Sequence, residues 1–300
     1  MKRLSLSILL FTFTAILGCA SQQPATKPGQ QGQAASPLES RRRFLLTIDR
    51  PRVALDPQET PAGVVAGITQ LHFTYATQAG QRVPGVLLLP PTTRPATAPT
   101  GAVGAEGARH PVVIAMHGTG GNKNDQLAFL RQVVPQGFIG VAIDGRYHGE
   151  RATGAPRYAD LNAYETAILK AYCDTPKMMR SVFGDSAQPA EEPFYPLYFD
   201  TVWDIMRLVD YLVTRPDVDP SRIGIYGVSK GGIEAYLAAA ADPRLAVAVP
   251  TISVQTFRFG LVRNAWQGRV ATFQKAFNAA AGATSVSDRT AGSWRCFMTA

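Results

Sequence analysis

The 300-residue sequence contains little cysteine, and its three cysteines are far apart. Cys173 and Cys296 allow one disulfide in an oxidising compartment, but the sequence has no C-x-x-C and no other metal-ligand spacing. A P-loop is absent, and the glycine loop departs from the dinucleotide pattern because Lys123 stands where the third glycine belongs. No stretch interleaves basic and aromatic residues as a nucleic-acid interface requires. We therefore expect no metal, no cofactor and no nucleic-acid partner.

The sequence also lacks a typical membrane-spanning run at its front. Leu4–Leu17 is an apolar run of 14 residues after a basic start, which is short for a spanning helix and typical of a signal-peptide core. It ends in Ile16-Leu-Gly-Cys19-Ala, which resembles the lipobox of bacterial lipoproteins. We expect residues 1–18 to be a removed lipoprotein signal peptide and Cys19 to carry the lipid. An ordinary secretory signal cut nearby is the alternative.

The segment after Cys19 has the composition of a linker. Residues 19–40 are rich in Gln, Pro, Ala, Gly and Ser and hold few large apolar side chains, so they predict a disordered tether. The run Arg41–Arg43 is interpreted as a solvated boundary. We expect a folded domain over residues 41–284 and an irregular tail over 285–300. The protein is then lipid-anchored at the bacterial cell envelope, at the outer membrane or in the periplasm, and it meets membrane only through its anchor.

Apolar periodicity predicts an α/β domain with a doubly wound, mostly parallel sheet. Alternation predicts a hairpin from Thr69–Thr77 and Arg82–Leu89. Continuous apolar runs predict strands that are buried on both faces; they are Val112–Met116, Phe138–Ile143, Ile223–Val228 and Leu245–Val249. Helical spacing separates these runs, as in Phe199–Arg215. Pro90–Arg109 is predicted to be a surface loop.

The most informative motif is Gly227-Val-Ser229-Lys-Gly231, which lies between a predicted buried strand and a predicted helix. In that context G-x-S-x-G indicates a nucleophile elbow, where a strained backbone presents the serine hydroxyl above the sheet. We expect glycine at both flanking positions because side chains at 227 and 231 would collide. An ordinary glycine-rich turn from strand to helix is the alternative.

A serine nucleophile also needs donors for the oxyanion of its tetrahedral intermediate. The backbone N–H of Lys230 follows the serine at the start of a helix, whose dipole favours negative charge. The second N–H is expected from the loop His117–Gly121; Thr119 is the first choice and Gly120 the next. His117 itself is predicted to be a structural partner of this loop and not the base.

These motifs resemble the α/β-hydrolase superfamily, near its dienelactone hydrolase, acetyl xylan esterase and prolyl-oligopeptidase-type branches. The resemblance rests on His117-Gly118 with its loop, on Asp144-Gly-Arg146-Tyr-His-Gly, and on the elbow, and it covers residues 65–255. It implies hydrolysis of a small-molecule carboxylic ester through an acyl-serine intermediate. It further implies an internal ion pair of Asp144 with Arg146. The aromatic-rich insertion 145–197 then forms a cap over the site, with added core packing as the alternative.

The sequence departs from the family after the elbow. All four histidines precede Ser229, and the family expects a carboxylate and then a histidine on loops after two further strands. We therefore predict an α/β-hydrolase sheet that lacks its last strands and has an open edge. Three explanations stay open: a truncated or frame-shifted product, a genuine short protein without catalysis, and an irregular base, for which His148 is the candidate. Because the acid and the base are absent from the sequence as given, we expect little or no turnover.

Two other functions compete with the esterase hypothesis. A prolyl-oligopeptidase-type peptidase is the first, but the stretch before the predicted hairpin is too short for the propeller those proteins usually carry. A non-catalytic lipoprotein that holds a small ligand in the capped cleft is the second. The sequence predicts neither the substrate nor the oligomeric state.

Overall fold

The computed structural model describes residues 36–91, 109–155, 161–168 and 197–253. Among these residues, no helix is both long and apolar enough to cross a membrane. Several sequence predictions concern residues outside the described ranges and stay predictions; they are the signal peptide, the lipidated Cys19, most of the tether, most of the loop Pro90–Arg109, Cys173, Cys296, the end of the domain after residue 253 and the tail 285–300.

The described helices and strands alternate along the chain much as the apolar pattern predicts. In chain order they are α1 (Pro37–Ile48), β1 (Gln58–Val65), β2 (Ile68–Gln78), β3 (Gln81–Leu89), β4 (His110–Met116), α2 (Leu127–Val133), β5 (Ile139–Ile143), α3 (Leu197–Leu212), β6 (Val218–Val228), α4 (Lys230–Ala241) and β7 (Leu245–Thr251). The predicted strands before and after each crossover helix are therefore confirmed.

The seven strands form one sheet in the order β1-β2-β3-β5-β4-β6-β7. Three neighbouring pairs are antiparallel: β1 with β2, β2 with β3, and β3 with β5. The other three are parallel: β5 with β4, β4 with β6, and β6 with β7. On β4, which lies between β5 and β6, Ile114 is opposite Val141 on one side and Ile225 on the other. This register confirms the α/β sheet and places the ends of β4 and β6 next to each other, where parallel sheets hold their sites.

Each face of the sheet has its own apolar cluster, because successive side chains of a strand point to opposite faces. On β4, Ile114 and Met116 belong to the larger cluster, which α3 and α4 cover, whereas Ala115 belongs to the cluster beneath α2. Trp203 of α3 is fully buried and donates its ring N–H to the carbonyl of Thr77 at 2.9 Å. The layers therefore hold the strand ends in fixed positions.

Two elements were not predicted from the sequence. Strand β1 is exposed along its whole length, and α1 begins at Pro37, inside the predicted tether. Arg41, Arg42 and Arg43 are exposed, as the solvated-boundary prediction has it, but Arg41 also donates from Nε to the carbonyl of Ala240 and from Nη2 to that of Ala241, both at 3.1 Å. These carbonyls end α4, so a positive side chain stabilises the helix that carries the elbow.

We expect Arg41→Ala to lower the free energy of unfolding by about 0.5 kcal/mol, the usual value for a cation at a helix C-terminus. Arg42→Ala is the matched control, because the Arg42 guanidinium is exposed and bonds only locally, to Glu39 at 2.8 Å. Urea unfolding of both variants measures the difference. Equal losses in the two variants would contradict the capping role of Arg41.

Within the described residues, β7 pairs on one side only, with β6. Val247 and Val249 of β7 are 58% and 49% exposed, and Ile252 just beyond it is 80% exposed. In the part of the chain that the structure describes, β7 is thus the edge that the sequence predicted, with apolar side chains that are expensive to leave in water.

Candidate active site

Ser229 lies at the corner between β6 and α4. Its φ is +55° and its ψ is −113°, a backbone conformation that costs a non-glycine residue roughly 1–3 kcal/mol. The Ser229 N–H donates to the Thr251 carbonyl at 2.9 Å, and the Ser229 carbonyl accepts the first helical bond from Ile233 at 3.1 Å. The strain predicted for the elbow is therefore present, and bonds to β7 and α4 hold it in place.

Glycine is required on both sides of the serine, but for two different reasons. A Cβ on Gly227 would overlap the carbonyl of Gly231 and lie 2.8 Å from the Gly232 nitrogen. A Cβ on Gly231 would instead overlap the end of β4, at the Met116 carbonyl and 2.7 Å from the His117 oxygen. The prediction that side chains at 227 and 231 would collide with each other is therefore wrong. A side chain at either position would instead collide with backbone atoms.

The glycine loop after β4 lies beside the serine. A Cβ on Gly118 would be 3.9 Å from the Ser229 Cβ and 3.5 Å from the Val228 carbonyl. Thr119 follows and is exposed, while Lys230 is the first residue of α4. The two loops predicted to supply oxyanion donors are therefore neighbours, and the roles of the Thr119 and Lys230 N–H groups stay predictions.

His117 joins this loop to the one after β5. Its Nε2 accepts the N–H of Gly145 at 3.0 Å, so that nitrogen is unprotonated. Nδ1 then carries the proton and donates to the Gly118 carbonyl at 2.7 Å. Burial, and after it the positive charge of Lys230, lower the pKa of His117. Both ring nitrogens are used by backbone groups, which agrees with the predicted structural role.

Beneath the elbow lies a buried ion pair that the sequence analysis missed. The Lys230 Nζ is 2.7 Å from Oε1 of Glu234, and both side chains are 1% exposed. The i, i+4 spacing could have revealed the pair, but such pairs usually lie on a solvated helix face. Here the first turn of α4 is buried, so the charges face inward.

The predicted ion pair between Asp144 and Arg146 is wrong. Asp144 accepts the N–H of Lys123 at 2.8 Å and its Nζ at 2.9 Å, and it also accepts the N–H of Glu150 at 3.0 Å. Asp144 directly follows β5 and faces the β4–α2 loop, whereas the turn after it directs Arg146 toward α3. Lys123, the residue that breaks the dinucleotide pattern, thus secures the glycine loop.

Arg146 pairs instead with Asp204 of α3, at 2.9 Å from Nε, and Arg151 pairs with the same carboxylate at 2.6 Å. Asp204 is fully buried. Burial alone would raise the pKa of Asp204, but the two guanidinium groups lower it well below its usual range. Within the described residues, no group of three or more His, Cys, Asp or Glu side chains is arranged to hold a metal ion.

His148, the candidate irregular base, is buried next to His117. Its Nδ1 donates to the Arg146 carbonyl at 2.8 Å. Its ring packs between those of His117 and Tyr164, with centroid distances of 5.0 and 4.6 Å. Neither contact involves Ser229, and a catalytic role for His148 stays untested. Of the predicted cap 145–197, the structure describes residues 145–155, 161–168 and 197. In the second of these stretches Leu161, Ala163, Tyr164 and Ile168 are buried, and 156–160 and 169–196 lie outside the described residues.

Comparison with known proteins identifies a family. The model of the acetyl xylan esterase family (AXE1) matches residues 50–256. YtaP of Bacillus subtilis (strain 168), whose description is that of a hydrolase, is 35% identical over 79 residues, which are 24% of this chain and 26% of YtaP. This chain therefore spans about a quarter of the length of that curated relative.

Two solved structures share the fold. The acetyl xylan esterase from Paenibacillus sp. R4 has a TM-score of 0.56 at 22% identity, over 90% of this chain and 76% of that one. Acetyl xylan esterase 1 from Thermoanaerobacterium sp. JW/SL YS485 has a TM-score of 0.55 at 18% identity, over 87% and 71% of the two chains. At these identities the likeness concerns the fold alone.

Proposed function

The chain belongs to the acetyl xylan esterase family of α/β hydrolases, and from this premise we propose that it hydrolyses small carbohydrate acetates with Ser229 as nucleophile. The observation that carries the proposal is the positive φ of Ser229 at the junction of β6 and α4. Such strain in a non-glycine residue persists only where the surroundings enforce it, and it is common at catalytic residues. The carbohydrate ester as substrate class is inferred from the family.

In the proposed reaction the Ser229 oxygen attacks the ester carbonyl carbon, and the carbonyl oxygen gains the negative charge. The N–H groups of Lys230 and Thr119 stabilise this oxyanion, and losing one such donor typically costs about 10²–10³-fold in rate. The carbon–oxygen bond to the alcohol then breaks, the alcohol takes up the serine proton, and water releases acetate from the acyl-serine. The Lys230 ammonium takes no part, since it is paired with Glu234.

Removal of the Ser229 hydroxyl proton is the step for which we find no clear general base among the described residues. All four histidines precede Ser229, and both ring nitrogens of His117 are engaged by backbone groups. We propose that the 300 residues therefore turn over esters slowly. Without a base nearby, the serine hydroxyl must give up its proton unaided, and this slows its attack on the ester.

We expect Ser229→Ala to lower hydrolysis of acetylated xylo-oligosaccharides and of p-nitrophenyl acetate by about tenfold or more. The alanine removes the attacking oxygen and leaves the amide donors in place. Ser221→Ala is the matched control and should leave the rate unchanged, since the Ser221 hydroxyl is exposed and bonds to Asp219 at 2.7 Å. Equal rates for the wild type and Ser229→Ala would overturn the proposal. Tight sugar binding without hydrolysis would favour the binding lipoprotein.

A further inference from the structure

Three ionisable side chains surround the backbone at Gly145. A Cβ placed on Gly145 would lie 2.7 Å from the Lys230 Nζ, 3.5 Å from Nε2 of His117 and 3.6 Å from Oε1 of Glu234. The same glycine donates its N–H to His117, whose other nitrogen bonds the Gly118 carbonyl beside the nucleophile. The buried ion pair and the ring of His117 therefore lie against the same backbone position, Gly145, and the charge of Lys230 acts on His117.

The two hydrogen bonds of His117 exist only in one protonation state. An imidazolium donates from both nitrogens, so it would repel the N–H of Gly145. The carboxylates that face the ring, Glu234 on α4 and Asp144 at the end of β5, favour that imidazolium. Lys230 opposes it, and Lys123 neutralises Asp144 from the other side. The remaining neighbour, His148, packs its ring against His117.

We propose that the buried Lys230–Glu234 pair is a positioning device for the oxyanion site, in which the ammonium keeps His117 neutral and His117 holds Gly118 and Gly145 in place. Lys230 then acts twice, through its N–H toward the substrate and through its side chain toward the loop. The inference rests on the proposed function, because the loop that begins at Gly118 is assigned the second donor.

The test compares two variants that remove opposite charges. In Lys230→Gln the Glu234 carboxylate is unopposed, so the pKa of His117 should rise, and acid should break its bond to Gly145. In Glu234→Gln the unopposed ammonium should lower the pKa of His117 further. Nitrogen-15 NMR of the histidine rings reports this pKa directly. A fluorophosphonate reacts covalently with an activated serine. At pH 5 it should label Ser229 on the order of tenfold more slowly in Lys230→Gln than in Glu234→Gln.

Two further variants keep the test decisive. Lys230→Gln/Glu234→Gln removes both charges and should be more stable than either single variant, since an unpaired buried charge is what destabilises. Gly145→Ala displaces the ammonium without changing any charge. It takes the place of Lys230→Gln if that variant fails to fold, and it should shift the pKa of His117 in the same direction.

Identical His117 titrations in the two single variants would overturn the positioning role. Absence of wild-type labelling would instead overturn the proposed function, and the NMR titration would still decide the positioning role.

Discussion

Gly227→Ala is expected to destroy the elbow although it adds a single methyl group. That methyl would overlap the carbonyl of Gly231 and lie 2.8 Å from the Gly232 nitrogen, both in the first turn of α4. Backbone cannot rotate away as a side chain can, so β6 and α4 must separate. We expect a loss of about 3 kcal/mol or more in the free energy of unfolding, the upper range for overpacking, and loss of Ser229 reactivity.

The matched control is Gly224→Ala on the same strand. Its new methyl would find its nearest neighbour, the Val247 carbonyl, at 3.6 Å, which is ordinary contact. Alanine also restricts the unfolded chain, so this variant should be unchanged or more stable by about 0.5 kcal/mol. Urea unfolding and phosphonate labelling of both variants provide the measurement. A normally stable and reactive Gly227→Ala would show that the tight corner is unnecessary.

Asp204→Asn is expected to lower the free energy of unfolding by about 3–5 kcal/mol at pH 7. The substitution leaves the buried guanidinium groups of Arg146 and Arg151 without their shared carboxylate. The side chain of Asp204 is fully buried, and those of the two arginines are 11% and 7% exposed. The loop after β5 would lose both ion pairs to α3 and keep only weaker links, such as the bond from the Arg146 N–H to the Thr201 hydroxyl. Chemical unfolding at pH 7 measures the loss.

The pH dependence of this effect has a definite sign. The pKa of Asp204 is depressed in the folded state, so its contribution is complete above an unfolded pKa near 4 and declines as the pH falls below that value. The difference in the free energy of unfolding between the wild type and Asp204→Asn should become smaller by about 1 kcal/mol when the pH is lowered from 7 to 3. Asp219→Asn compares a more exposed ion pair, since the side chains of Arg222 and Asp219 are 47% and 22% exposed; the pKa of Asp219 is lowered too, so this variant should differ in the size of its loss at pH 7 and not in its sign with pH. A gap independent of pH would contradict the charged state of Asp204.

The sequence was sufficient for the sheet and for the elbow. Buried parallel strands are continuous apolar runs, and for that reason the ends of β4 and β5 were predicted correctly, whereas their starts were missed by two residues and one residue. The elbow was predicted because Gly227 and Gly231 flank Ser229 between an apolar run typical of a strand and a pattern typical of a helix. By contrast β1 is exposed throughout, so it has no apolar periodicity that could reveal it.

The ion pairs could not be derived in the same way. Arg146 is 58 residues from its partner Asp204, and only the packing of α3 brings them together. The family resemblance suggested Asp144 as that partner, but the turn after β5 separates the two side chains. Local spacing does contain the Lys230–Glu234 pair, yet spacing alone does not show which face of a helix is buried.

Peptide mapping after reaction with a fluorophosphonate tests the central claim most directly. If Ser229 is the nucleophile at a strained corner beside amide donors, the folded chain should acquire one phosphonyl group, slowly, on the peptide that contains Ser229. A folded chain that acquires none there, or that acquires it on another serine, would contradict the account.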